Sequence, residues 1–566
     1  MIVLLCCYDS ARGAEPLIEH HGDHYVINVR AMEPDDEMTL MDVLQLCPEL
    51  TFSNSTALDQ NYILCVDDID LFVHNETFLS MVKAHEVETI EVYTNPSVSQ
   101  AAGGSEGVIN INYRKADKDD TTGKLALEGS TYGNGKLYAD VKTQHRQFGL
   151  RGYALTDLYY AKGTVAELGN FTQRQMVENA HVSADWDISP SDNLMLKMFQ
   201  QYYNGNEKHR YAEGSHEIPL SGRLGNLVIK YLRTLNDKEA TLRTETGSTF
   251  TNEKEASLST NIAAPYFFTE LNTPLLNDDL WMMVGWEIDY ENIWMRDVSR
   301  QQYLKNDFYL QLEYDRGPWD ITLGCRHTLL DYWHHSHLEE HASEPWSHHR
   351  NATTFLATMG YKWGNHHFVQ GSLCRDFYIP TFDDFYEDAM GQTGLNIGYL
   401  TNILWRSELR YTYQQRNMAF FARLLHSWKN DMPTPNEQLT GIKTSITWHK
   451  GPLRLTAGAN FYHQHMDGDD MLGAINDNYY TLKLSPTLLL GSGLRLSSSL
   501  LYSSRQEFYN TSDHLFASVK LNKSLGRHCN IYADFHDLTD MPTLSIVEVT
   551  GRFRNRALTV GMTYRF

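Results

Sequence analysis

From residue 123 to the last residue, apolar and polar side chains alternate with a period of two. The C-terminal segment shows this most plainly. Leu558, Val560, Met562, Tyr564 and Phe566 fall on one face of an extended chain, and Ala557, Thr559, Gly561, Thr563 and Arg565 fall on the other. Such alternation predicts a strand with one oily side and one polar side, not a strand buried on both faces. "FYLQLEY" (308–314) repeats the pattern, with Phe308, Leu310, Leu312 and Tyr314 together. In "LRLTAGANFYHQ" (453–464) and "LRLSSSLLYSS" (494–504) the polar side carries Arg454, Thr456, Asn460, Arg495, Ser497 and Ser499. Marking every such run gives about 22 strands of roughly 9–13 residues, the length a tilted strand needs to cross a bilayer.

The connections sharpen the picture. Many alternate ones are very short, as in "HRQ" (145–147), "DRGP" (315–318), "HKGP" (449–452), "GSG" (491–493) and "LGRH" (525–528). Those between them read as long and polar: 204–224, 331–350, 377–395, 465–475 and 538–554. Tight turns at one end and long loops at the other are the pattern of an outer-membrane barrel. Segment 265–278 reads as one further connection that is longer than this rule allows, which leaves the strand count open by about two. Backbone groups in lipid must all be paired, so the sheet has to close, and the last strand is expected beside one near residue 125. A soluble sandwich or β-helix is the alternative reading.

Residues 22–118 have a different texture. "YVINV" (25–29) and "YILCVDDID" (62–70) read as strands, whereas "MTLMDVLQL" (38–46) has apolar residues at helical spacing and "NETFLSMVKAH" (75–85) starts with capping-type residues before an apolar run. "VETIEVYTNPSVSQAAGGSEGVININYRK" (87–115) reads as strand, turn and strand. A barrel of about 22 strands encloses a wide lumen that must be open or plugged. The expected fold is therefore an all-β transmembrane barrel of antiparallel strands over 123–566, with a small α+β plug formed by 22–118 inside it. Residues 1–14 read as the remnant of a secretory signal peptide, or else as a short buried strand.

Composition removes several function classes. The net charge of −23 leaves no basic surplus for phosphates, so no nucleic-acid partner is expected. Mean hydropathy is −0.44, and no apolar run approaches the roughly 20 residues of a spanning helix. Beyond the first segment, Cys47, Cys65, Cys325, Cys374 and Cys529 lack metal-site spacing. Cys47 and Cys65 are expected either as a disulfide or as two buried thiols. No hydrolase or protease constellation is present, so no enzyme is expected, and nothing in the residues calls for a cofactor.

Residues 87–115 resemble the end of the plug domain in TonB-dependent outer-membrane receptors, closest to their "outer membrane β-barrel family protein" relatives. There an I-E-V strand, a T-N-P turn and a G-x-I-N-I strand recur. "VINV…LMDVLQLCPEL" is similar to the upstream part of that plug, "FYIPTFDDFYE" (377–387) resembles the family's R-P-x-x-x-D-L-Y stretch, and "HDLTD" (536–540) resembles the segment before its last strand. Two departures stand out: Thr94-Asn95 occupies the place of a frequent arginine-glycine pair, and Asp67-Asp68 that of a D-G. The resemblance implies a plug motif of Ile90, Glu91, Val92, Asn95, Pro96, Gly107, Ile109, Asn110, Ile111 and Arg114. Ile90, Val92, Val108, Ile109 and Ile111 would form the sheet core, and Pro96 and Gly107 would shape turns. Glu91 and Arg114 would pair with wall charges or stay solvated.

The resemblance also implies a receptor in the outer membrane of a Gram-negative bacterium. Its expected partners are the TonB complex, outer-membrane lipid, a small nutrient ligand, and the barrel assembly machinery that reads the terminal Phe566. A plugged barrel serving as a scaffold of a surface complex is the alternative. "YWHHSHLEEHASEPWSHHR" (332–350) adds a candidate metal or haem contact, through His334, His335, His337, His341, His348 and His349, or else a hydrated surface loop.

Overall fold

The computed structural model describes, in the N-terminal part, residues 18–20, 24–30, 38, 40–44, 62–67, 69–70, 82–93, 98 and 107–114. From 119 on it describes all but 132, 166–168, 212–213, 236–239, 256–257, 277–278, 297–298, 337–345, 365, 379–401, 416, 431–435, 468–473, 491–492, 506–512, 527, 537, 540–544, 547–548 and 554–556.

The N-terminal module is a six-stranded sheet: β1 (Ile18–His20), β2 (Tyr25–Asn28), β3 (Tyr62–Val66), β4 (Ile69–Asp70), β5 (Val87–Tyr93) and β6 (Gly107–Tyr113), in the order β1-β2-β5-β6-β3-β4. β3 runs parallel to β6, and the other pairs are antiparallel. One short helix, α1 (Leu40–Leu44), covers the sheet and supplies Leu40, Val43 and Leu44 to its core. Ile27, Leu64, Ile90, Val92, Ile109 and Ile111 complete that core, and Leu501 and Phe516 of the barrel wall join it. The expected strand over 62–70 is broken at Asp67, whose φ of 48° lies in the left-handed region that Asp tolerates better than most residues. Most of the expected helix at 75–85, together with Cys47, lies outside the described residues.

Twenty-one consecutive strands, from β7 (Asp120–Ser130) to Cys529–His536, and the terminal strand Ala557–Arg565 form one closed antiparallel barrel of 22. The terminal strand pairs with β7, from Thr559 opposite Ser130 to Arg565 opposite Lys124. Phe566 and Gly123 exchange both backbone hydrogen bonds at the seam, 3.1 and 3.0 Å. A Cβ on Gly123 would lie 2.3 Å from the Phe566 ring, so the ring lies over bare backbone at the seam. Val560, Met562, Tyr564 and Phe566 are 48–58% exposed while Gly561 and Thr563 are buried, which is the two-faced arrangement the alternation implies.

Two expectations about strand length are corrected. The strands between 148 and 336 have 15–21 residues, well beyond 9–13. Segment 204–224 is not a loop: strands Asp192–Tyr211 and Gly214–Thr234 continue through it and pair up to Tyr211 opposite Gly214. Segment 265–278 is likewise mostly strand, within Leu258–Leu276. Pro265 falls in a stretch that is unpaired with the next strand, and Pro274 lies beside a register shift.

Exposed leucines, valines and aromatics form a belt around the wall. On Met418–Asn430 the outward residues run Phe420, Ala422, Leu424, His426 and Trp428, which puts Leu424 midway between two aromatic levels. Leu424→Arg is expected to cost about 2–4 kcal/mol, the range for a lipid-facing cation at mid-depth. Urea titration of the folded barrel in phospholipid vesicles checks this, with the lumen-facing Arg423 left in place.

Candidate functional site

The site that the fold builds is the contact between the N-terminal sheet and the lumen wall. Its charges are few, buried and paired across the two parts. Three places on the plug carry them.

The first is Glu86, in the 3₁₀ turn Ala84–Glu86 that precedes β5. Its carboxylate accepts from Tyr138 Oη at 2.9 Å and from Arg151 Nη2 at 2.5 Å. The Arg151 guanidinium also lies 3.7 Å from the centre of the Tyr113 ring, a cation–π contact that binds β6 to the same wall residue. His85 Nε2 stands 3.8 Å from the carboxylate. Burial, then the charges of Lys124 and Arg565, hold that imidazole well below its usual pKa, so it is neutral at pH 7. Arg151 is thus the cation that balances Glu86.

The second is the turn at Asp67. Its N–H donates to Ile111 O (3.0 Å), and its Oδ1 accepts the Tyr113 N–H (3.0 Å), which locks the turn onto β6. Lys197 of the wall reaches both Val66 O (2.7 Å) and Asp67 Oδ2 (2.8 Å), and Lys230 donates to Asp67 O (3.0 Å). The left-handed backbone turns these carbonyls toward the wall, where the two ammonium groups meet them.

The third is Val98. Its N–H donates to Gln311 Oε1 (3.2 Å) and its carbonyl accepts from Arg326 Nη1 (3.1 Å). Its side chain packs against Phe268, Tyr309 and Leu356. A Cβ on Gly324 would come within 2.7 Å of Val98 Cγ1, so the wall is bare at this point because the plug approaches it. Arg326 is itself held by Asp307 and by Glu287 (2.7 Å), while Lys305 lies 2.6 Å from Asp289 and within 3.5 Å of Glu287 and Asp307. The oxygens of Glu287, Asp289 and Asp307 lie within 4.8 Å of one another, but two cations already occupy the space between them.

The plug motif distributes differently from the reading of Glu91 as a wall contact. Glu91 stays within its own sheet and accepts from Asn110 (3.1 Å), Asn112 (2.7 Å) and Tyr93 (3.1 Å). Ile90, Val92, Ile109 and Ile111 are buried in the sheet core, and Val108 is also buried. At Gly107 a Cβ would meet Tyr93 O at 2.4 Å. Arg114 donates its backbone N–H to Glu86 O (2.9 Å). Asn95 and Pro96 lie outside the described residues. No motif points to Glu86 or Val98, and Asp67 stands out only as a departure from the family's D-G, since the wall partners of the three lie 52–228 residues away along the chain.

Of the histidine cluster, His334 and His335 lie on Trp319–Ser336 and His348 and His349 on Trp346–Trp363, and only the side chains of His335 and His349 are among those described. His349 Nδ1 is 2.7 Å from Asp331 Oδ1 on an exposed face. His337 and His341 fall outside the described residues.

No protein-family model and no curated protein matches the sequence. Solved structures do. The FrpB iron transporter from Neisseria meningitidis (F3-3 variant) superposes with a TM-score of 0.76 at 12% identity, covering 97% of this chain and 100% of that one. The ferric-catecholate import receptor Fiu from Escherichia coli K12 gives 0.73 at 11%, with 98% of each chain covered. The siderophore receptor PirA from Pseudomonas aeruginosa gives 0.70 at 13%, covering 97% and 100%. At these identities the likeness is one of architecture: the chain shares the fold of these three structures, a 22-stranded closed barrel with a folded module in its lumen.

Proposed function

We propose that this chain is a receptor of the Gram-negative outer membrane that admits a small nutrient ligand through its lumen, energised by the TonB complex. The observation that carries the reading is the order of the plug sheet. β1 and β2 form one edge of it, and the preceding chain leads directly into β1. Tension on that chain peels β1 and then β2 from β5 one ladder bond at a time, whereas shearing the whole plug would break its buried ion pairs together. A sheet edge that yields before the anchors do is a local order–disorder element. The motif residues from Ile90 to Arg114 are then the frame against which it moves. The assembly machinery reads the terminal strand and Phe566.

A ferric chelate is the first ligand class to test, because the neighbouring structures bear iron and siderophore names. The test ties Val26 to Glu91, which face each other across β2 and β5, with a V26C/E91C disulfide. Uptake of radiolabelled iron as ferric catecholate is expected to drop about tenfold or more when the bond is formed, and to recover on reduction. Equal uptake in both redox states, with normal surface expression, would favour the scaffold reading instead.

A further inference from the structure

An anchor between plug and wall needs no more than an ion pair or a few hydrogen bonds. Two of the contacts described above are of that kind. At Asp67 the wall offers donors, the ammonium groups of Lys197 and Lys230. At Glu86 it offers a phenol and a guanidinium to one carboxylate. At Val98 it meets a single residue through both main-chain groups and the side chain together. Gln311 Oε1 accepts the N–H at 3.2 Å, Arg326 Nη1 donates to the carbonyl at 3.1 Å, and Phe268, Tyr309 and Leu356 enclose the side chain. These residues come from neighbouring strands of the wall, from Leu258–Leu276 round to Trp346–Trp363.

The wall holds this socket in shape by its own contacts. Gln311 Nε2 donates to Glu313 Oε1 at 2.6 Å, which turns the amide oxygen toward Val98. Arg326 is fixed by Asp307 and Glu287, and Tyr309 Oη donates to Glu270 at 2.8 Å. The Phe268 and Tyr309 rings stack with their centres 6.3 Å apart, and the Arg243 guanidinium lies 4.8 Å from the centre of Phe268. Gly324 leaves the backbone bare where a Cβ would come within 2.7 Å of Val98 Cγ1. Groups fixed before their occupant arrives lose little freedom when it binds, which is the property of a recognition site.

We propose that this socket is a binding site for one residue of a peptide ligand, and that Val98 is its tethered occupant. What the wall reads on Val98 is an amide N–H, a carbonyl and a small branched side chain. A free peptide carrying valine presents the same three groups, the main chain for affinity and the side chain for fit. While the plug is seated, the tether gives Val98 an effective concentration on the order of millimolar, which excludes weak competitors. When the Val98 segment withdraws, Gln311 Oε1 and Arg326 Nη1 each lose a hydrogen bond in a buried place, and a peptide residue restores both. The proposal adds a ligand class and a site to the receptor reading, and it rests on the fold and not on transport.

The test is fluorescence anisotropy of a labelled, amidated peptide with the chain's own sequence over 95–100, Asn-Pro-Ser-Val-Ser-Gln, added to the full-length protein in detergent. Val98→Trp vacates the socket, because an indole has no room between Phe268, Leu356 and the backbone at Gly324. That variant is expected to bind the peptide about tenfold or more tightly than wild type, where the tether competes. Val98→Gly keeps the tether and empties the apolar part, so it should fall between the two, and it carries the comparison if Val98→Trp fails to fold. Methylating the valine nitrogen of the peptide removes the donor to Gln311 and keeps the side chain. It should weaken binding to either variant about tenfold, as should adding Arg326→Met. Equal binding by wild type and the variants, or binding indifferent to the methyl group, would overturn the assignment and leave the socket an anchor of the plug. Uptake of ferric catecholate plays no part in this readout, so the two proposals fail separately.

Discussion

Arg326→Met is expected to free the Val98 segment from the wall while leaving the barrel closed. Arg326 is fully buried and serves two groups at once, the Val98 carbonyl and the carboxylates of Asp307 and Glu287. Methionine fills much of the space but donates nothing. The carboxyl groups of Glu287, Asp289 and Asp307 then face Lys305 alone, where two cations had stood among them. Breaking a buried pair from one side costs about 3–5 kcal/mol, because the stranded charge keeps its desolvation penalty. The Val98 N–H to Gln311 survives the change, so the segment loses its acceptor side first. Hydrogen exchange of the peptide containing Val98 is expected to accelerate about 10²–10³-fold, with the barrel amides of 308–314 unchanged. A second variant separates charge from contact: adding Asp307→Asn to Arg326→Met should recover part of the loss by removing one stranded carboxylate. If exchange at Val98 stayed at the wild-type rate, Arg326 would be a wall residue with no hold on the plug.

How far the sequence exposes such a feature depends on the range of the interactions. The closed barrel was legible because period-two alternation is a local consequence of one lipid face, and "ALTVGMTYRF" carries it without any partner. The height of the wall was not. Above the bilayer both faces of a strand meet water, so "NGNEKHRY" (204–211) has no oily side and reads as a loop although its backbone stays in the ladder. Segment 265–278 misled in the same way, since most of what reads as a long connection lies within the strand Leu258–Leu276. In the plug, Ile90, Val92, Ile109 and Ile111, which the family resemblance places in a sheet core, lie in the buried cluster. The contacts with the wall were not legible, since Glu86 and Arg151 are 65 residues apart and nothing local distinguishes Glu86 from Glu88 or Glu91. Glu91 attracted the wall reading because it sits in the recognisable I-E-V strand. The fold spends it instead on Asn110 and Asn112 of the neighbouring strand.

The effect expected for Glu86→Gln follows from the same imbalance with the sign reversed. Glu86 carries one negative charge into a region that already holds Arg151, Lys124, Lys83 and Arg565. Glutamine keeps the shape and still accepts from Tyr138, but the Arg151 guanidinium loses its counter-ion while its face remains on Tyr113. Stranding that buried cation costs about 3–5 kcal/mol, which is larger than the loss of one neutral hydrogen bond at about 1 kcal/mol. The plug has two other attachments, at Asp67 and Val98, so the outcome is loosening at the β5–β6 end and not ejection. Exchange of the amides of Gly107–Tyr113 should accelerate about 10²-fold or more, while those of Tyr62–Val66, tied by Lys197, change little. Arg151→Met in the Glu86→Gln background removes the stranded charge and is expected to restore much of the protection, although each single change weakens it. Restoration by the pair separates a charge imbalance from lost packing, because a packing defect would grow with the second substitution.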